Sequence, residues 1–71
     1  MNASRFFGES IVSVGEVRPE RLAGARAEIL SDRDGAYRKL VYHNGRLAGA
    51  LLYGDISGAG AYYRQVRDPL D

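Results

Sequence analysis

Cysteine is absent from this 71-residue chain, and histidine occurs once, at His43. Without thiols there is no disulfide framework and no thiolate metal site. The absence also fits a reducing compartment, and the cytoplasm is the expected location. A lone histidine with no thiol builds neither a metal site nor a nucleophile constellation, so His43 reads as an exposed residue flanking a turn. Long apolar runs are missing as well. None approaches the roughly 18 residues of a transmembrane helix. The apolar stretch after Met1-Asn2-Ala3-Ser4-Arg5 is too short for a secretory signal. No membrane partner is expected. Charge of one sign is also lacking, with a net of +1 at pH 7. Nine of the ten basic residues are arginine, but they are scattered along the chain. A nucleic-acid partner calls for basic residues gathered on one face, so none is expected.

What is present is enough for one domain. A chain this small buries only about 60% of the surface its unfolded form exposes. Its core supplies roughly 3–5 kcal/mol at best. With no disulfide to help, the remaining supports are oligomerisation or attachment to a larger protein. The run Phe6-Phe7-Gly8, read as a short helical turn closed by Gly8, resembles the interior of a longer chain more than a free start.

Ser10 to Val14 is a compact β-branched run ending at Gly15, a strand. Val17 to Gly24 is a loop, with one helical turn at Pro19-Glu20-Arg21-Leu22, since proline suits a first helical position. Arg26 to Leu30 alternates charged and apolar residues, the mark of a half-buried strand. Ser31-Asp32-Arg33-Asp34-Gly35 is a turn. Toward the end, Asp55 or Ser57 can cap a helix. Ala59, Tyr62, Tyr63 and Val66 then fall at i, i+3, i+4 and i+7, one helical stripe. Gly58 and Gly60 weaken its first turn by roughly 1 kcal/mol each relative to alanine, and Pro69 stops it. The expected fold is α+β: a small antiparallel sheet of three to four strands with the C-terminal helix packed on one face.

The centre of the chain is a hairpin. Tyr37–His43 leads into Asn44-Gly45, and Arg46–Tyr53 returns. Asn-Gly tolerates the two positive φ angles of a type I′ turn, and a tight turn sets register. The expected register opposes Leu40 to Gly49, Lys39 to Ala50 and Tyr37 to Leu52. Alternation then puts Tyr42, Leu40, Leu47, Leu51 and Tyr53 on one face, and Tyr37, Val41, Ala48, Ala50 and Leu52 on the other. Both faces are partly apolar, whereas a sheet wet on one side shows a cleaner alternation. The Tyr42–Tyr53 face is the core expected under the helix. Tyr37, Val41, Ala48, Ala50 and Leu52 are the expected contact surface.

Other patterns read as structure. Asp32 and Asp34 lack the later ligands of a calcium loop, including its closing Glu. Gly54, Gly58 and Gly60 do not have the spacing of a dinucleotide fingerprint. Ser13-Val14-Gly15-Glu16 resembles a flavin contact at a strand end, but alone it carries little weight. Tyr62 and Tyr63 are neighbours on a helix and point about 100° apart, so they read as core filler rather than a stacking platform. No catalytic, cofactor-binding or metal-ligating residue is assigned.

Tyr37-Arg38-Lys39-Leu40-Val41, followed by Asn44-Gly45-Arg46-Leu47-Ala48-Gly49-Ala50-Leu51-Leu52-Tyr53-Gly54-Asp55, resembles the small C-terminal domain of FAD-dependent, pyridine-nucleotide-linked oxidoreductases. The likeness is to the rubredoxin reductase and NAD(P)H nitrite reductase large-subunit type. Phe7-Gly8 and Val12-Ser13-Val14-Gly15 are similar to that family's entry strand, so the likeness runs from about Phe6 to Val66. The resemblance implies FAD and NAD(P)H for a parent enzyme, held by upstream domains, with no cofactor bound by this stretch. It implies partners in the flavin- and nucleotide-binding domains of the same chain. The chain is therefore expected to be a non-catalytic accessory or interface domain, residues 1–71, of a larger flavoprotein. The alternative is a free-standing oligomerisation or interaction module, with a second copy as partner.

Overall fold

The computed structural model describes residues 1–31 and 35–67. Five strands form one antiparallel sheet: β1 (Asn2–Phe6), β2 (Glu9–Gly15), β3 (Arg26–Ser31), β4 (Tyr37–His43) and β5 (Arg46–Tyr53). The helix α1 (Ala59–Arg67) follows. The spatial order is β1-β2-β5-β4-β3. The α+β class and the C-terminal helix are as expected, and the strand count is five rather than three or four.

The extra strand is β1. Phe6-Phe7-Gly8 is not a helical turn: Phe7 and Gly8 have φ of 53° and 80°, and they reverse the chain between β1 and β2. That combination of two positive φ angles is the type I′ hairpin geometry. The Arg5 guanidinium closes the turn by donating to the Gly8 carbonyl at 2.8 Å. Every β1 residue is exposed, so β1 has no apolar alternation by which to be recognised. At the centre, Asn44 and Gly45 have φ of 55° and 76°, the expected turn.

The register beyond that turn differs from expectation. His43 opposes Arg46 and Tyr42 opposes Leu47, but Val41 opposes Gly49, Leu40 opposes Ala50 and Arg38 opposes Leu52. Ala48 is an extra residue in β5, a β-bulge. Slipping the register by one residue moves side chains to the opposite face. Ala50 and Leu52 therefore share a face with Leu40 and Tyr42, while Leu51 and Tyr53 share the other with Lys39 and Tyr37.

The reason for the bulge lies in the connection from β2 to β3, residues 16–25. It must pass β5 and β4 at the end of the sheet where their turn lies. Its first residue docks on the bulge, with the Glu16 N–H donating to the Ala48 carbonyl at 3.0 Å. The Glu16 backbone lies so close over Gly49 that a Cβ there would fall on the Glu16 carbonyl. Without the bulge, a residue with a side chain would occupy this crossing. A 3-10 turn at Pro19–Arg21 lies within the connection, as expected from Pro19. His43 is half-buried and contributes here as well: its Nε2 lies 3.0 Å from the Ala23 carbonyl, which makes Nε2–H the donor.

The core lies between the sheet and α1. Val12, Val14, Leu40, Leu47, Ala50 and Leu52 are buried there, with Tyr42, Ala59, Tyr62, Tyr63 and Val66 packed against them. The helical stripe Ala59, Tyr62, Tyr63 and Val66 is thus the one expected, and both tyrosines are core filler. The helix lies on β2 and β5. The β3 strand has the expected position but is exposed throughout rather than half-buried, being a sheet edge that α1 does not reach. The turn expected at Asp32 and Asp34 and the helix stop expected at Pro69 lie outside the described residues.

The helix entry is held by Asp55 and Arg38. Asp55 Oδ1 accepts from the Ser57 hydroxyl at 2.7 Å and the Ser57 N–H at 3.0 Å. Arg38 donates to the Ser57 carbonyl at 3.3 Å and to the Tyr62 hydroxyl at 3.2 Å. The first helical bond runs from the Tyr62 N–H to the Gly58 carbonyl, so Asp55 fixes the preceding turn rather than capping the helix directly. Its two bonds from Ser57, aided by the Arg38 charge, hold the Asp55 carboxyl below its ordinary pKa. A depressed carboxylate stabilises the fold above its unfolded pKa of about 3.9, and that contribution disappears as pH falls through the folded value. Asp55→Ala is therefore expected to lower stability at neutral pH and to flatten the loss below about pH 4. Urea unfolding at a series of pH values checks this; an unchanged acid limb contradicts it.

Candidate functional site

With α1 on one side, the other side of the sheet is the surface left open. Its rows can be read from the strand pairing. One row runs Ser4, Ile11, Tyr53, Tyr37 and Ser31 across the five strands, and the next runs Asn2, Ser13, Leu51, Lys39 and Ile29. Phe6 shares this face, opposite Glu9. No second α-helix is present among the described residues to cover it. Ile11, Tyr37, Lys39, Leu51 and Tyr53 are half-buried by one another. Ile29 is 59% exposed and Phe6 55%. Large apolar side chains gathered in this way mark a contact surface more often than scattered ones do.

Of the expected contact residues, the structure brings only some together. Tyr37 lies on the open face. Val41 points to the same side but is fully buried, beside Gly49 at the end crossed by the 16–25 connection. Ala48 is the bulge residue. Ala50 and Leu52 are fully buried in the core under α1. Leu51 and Tyr53, expected in the core, are on the open face in their place. Ile11 and Ile29 were not singled out from sequence. The signal for Ile29 was available in the Arg26–Leu30 alternation, where it is the apolar member on the side opposite Glu28.

Sheet topology decides what else this chain can hold. All four strand pairings are antiparallel. A dinucleotide fold needs a parallel strand–helix–strand unit with its glycine-rich turn opening the helix. The Gly54–Gly60 segment leads instead from an antiparallel strand into the last described helix. The described residues therefore do not form a dinucleotide-binding unit of that kind. Among them, no group of three or more His, Cys, Asp or Glu side chains is placed to hold a metal ion. No helix of the described residues is long and apolar enough to cross a membrane.

These features define a small α+β domain: a five-stranded antiparallel sheet with a helix on one face and, on the other, a largely apolar surface that no described helix covers. The rubredoxin NAD+ reductase C-terminal domain family model matches residues 1–68, and the chain belongs to that family. No curated protein and no solved structure matches it.

Proposed function

We propose that this chain is the C-terminal accessory domain of a cytoplasmic FAD- and NAD(P)H-dependent oxidoreductase. It performs no chemistry itself and docks through its open sheet face on the flavin- and nucleotide-binding domains that precede it in the parent chain. The observation that carries this reading is the open face of a family member: Ile11, Ile29, Tyr37, Leu51 and Tyr53 form an apolar surface that the domain's one described helix does not cover. Contact with an electron-accepting protein or a second copy would use surface left over after that docking.

The isolated chain is expected to be colourless and inactive toward NAD(P)H, while the full-length protein shows a flavin absorption band. Leu51→Asp in the full-length protein is expected to release the domain, so that limited proteolysis cuts before it several-fold faster. Flavin content should be retained. Unchanged proteolysis of that variant would exclude the open face as the docking surface. A flavin band from the isolated chain would refute the division of labour.

A further inference from the structure

Among the described residues, the open face has one charged residue in its middle. Lys39 is the only lysine of the chain, and it stands on β4 between Leu51 and Ile29, one row from Tyr37 and Tyr53. The other charged residues that the described strands place on this side lie at its ends: Glu9 beside Phe6, and Arg46 next to the Asn44-Gly45 turn. The Lys39 side chain is half-buried, its stem lying among these apolar neighbours as long cationic side chains do. Its ammonium has no hydrogen bond or ion pair among the described residues.

A surface that docks on this face strips water from that ammonium. An apolar covering would leave a buried, unpaired charge, which is strongly unfavourable. A carboxylate opposite it converts the same position into a charge-assisted hydrogen bond and fixes the docking register. The geometry points to a carboxylate of the preceding flavin- and nucleotide-binding domains as the partner of Lys39, set in an otherwise apolar patch. This rests on the docking reading above and adds the chemistry that its partner must present. Charge complementarity selects the occupant. A second copy related by a two-fold axis through this region would bring Lys39 against Lys39, and no described residue supplies a carboxylate in the middle of this face to answer it.

Coupling with a water-soluble carbodiimide tests this in the full-length reductase, because it joins an amine to a carboxylate only when the two are in contact. The expected product, found by mass spectrometry after digestion, links Lys39 to an Asp or Glu of the preceding domains. The link should be lost entirely in Lys39→Arg, which keeps the charge but has no primary amine to couple. Hydroxyl-radical labelling of Tyr37 and Tyr53 on the same sample separates the two ways of failing. Protected tyrosines without a Lys39 link would mean that the face is covered but meets no carboxylate, overturning the inference while leaving the docking reading intact. Tyrosines labelled as freely as their exposure here allows would overturn the docking reading itself. A link from Lys39 to Glu9 or Glu28 of another copy would replace the proposed occupant with a homodimer and overturn the inference.

Discussion

Gly49→Ala is expected to remove most of the stability of this domain. The added Cβ would fall on the Glu16 carbonyl, and neither side can yield cheaply. Gly49 is held between β2 and β4, opposite Gly15 and Val41. Glu16 is tied by its own N–H to the Ala48 carbonyl. Overpacking typically costs about 1–3 kcal/mol, and a Cβ driven into a fixed backbone carbonyl belongs at the upper end. Set against a total of roughly 3–5 kcal/mol for a domain this size, such a loss leaves a large unfolded fraction. Urea unfolding followed by circular dichroism measures it. The same substitution at Gly60 is a control of opposite sign. Gly60 lies in α1 with open space around it, so alanine there should stabilise by about 0.5–1 kcal/mol through helix propensity. Equal effects at the two glycines would mean that the crossing over Gly49 is not a real constraint.

Gly49 also marks the limit of what could be read from the amino-acid sequence. The Asn44-Gly45 turn was legible because its chemistry is local: two positive φ angles, two residues that accept them. The helix stripe Ala59, Tyr62, Tyr63 and Val66 was legible because a single period covers all four. The bulge at Ala48 was not, because its cause is remote. It is required by a connection leaving β2 more than thirty residues earlier, and a turn-based register carries no knowledge of that crossing. The cluster Ala48-Gly49-Ala50 held a trace of it, three small residues where a strand centre ordinarily carries bulk. Strand β1 was illegible for a different reason. As an exposed edge it buries nothing, and its place is decided by the Phe7-Gly8 turn and by the free side of β2. These two misses account for the candidate surface as well. The expectation of a half-apolar face opposite the helix survived. Its membership did not, because one inserted residue exchanged Ala50 and Leu52 for Leu51 and Tyr53.

Leu52→Ala and Leu51→Ala should therefore differ sharply despite being neighbours. Leu52 is fully buried against Val12 in β2 and Arg38 in β4, on the side where α1 packs. Truncating a buried leucine costs about 2–5 kcal/mol, counting lost transfer energy and the cavity left behind. In a core of six buried side chains there is little else to collapse into the gap, so a cost near the middle of that range is expected. The isolated domain would then be largely unfolded. Leu51 keeps part of its surface in water and has no helix above it, so its truncation should cost the isolated domain under about 1.5 kcal/mol, in line with the smaller area involved. In the full-length protein the order of interest reverses. Leu51→Ala should loosen the domain from its neighbours while leaving its own fold intact, whereas Leu52→Ala acts through folding alone. Unfolding curves of the isolated chain and proteolysis of the full-length protein, run on both variants, separate the two faces. If Leu51→Ala proved the more destabilising in isolation, β5 would have to pair in the register without the bulge. Leu51 and Tyr53 would then belong to the core, and the docking surface would pass to Ala50 and Leu52.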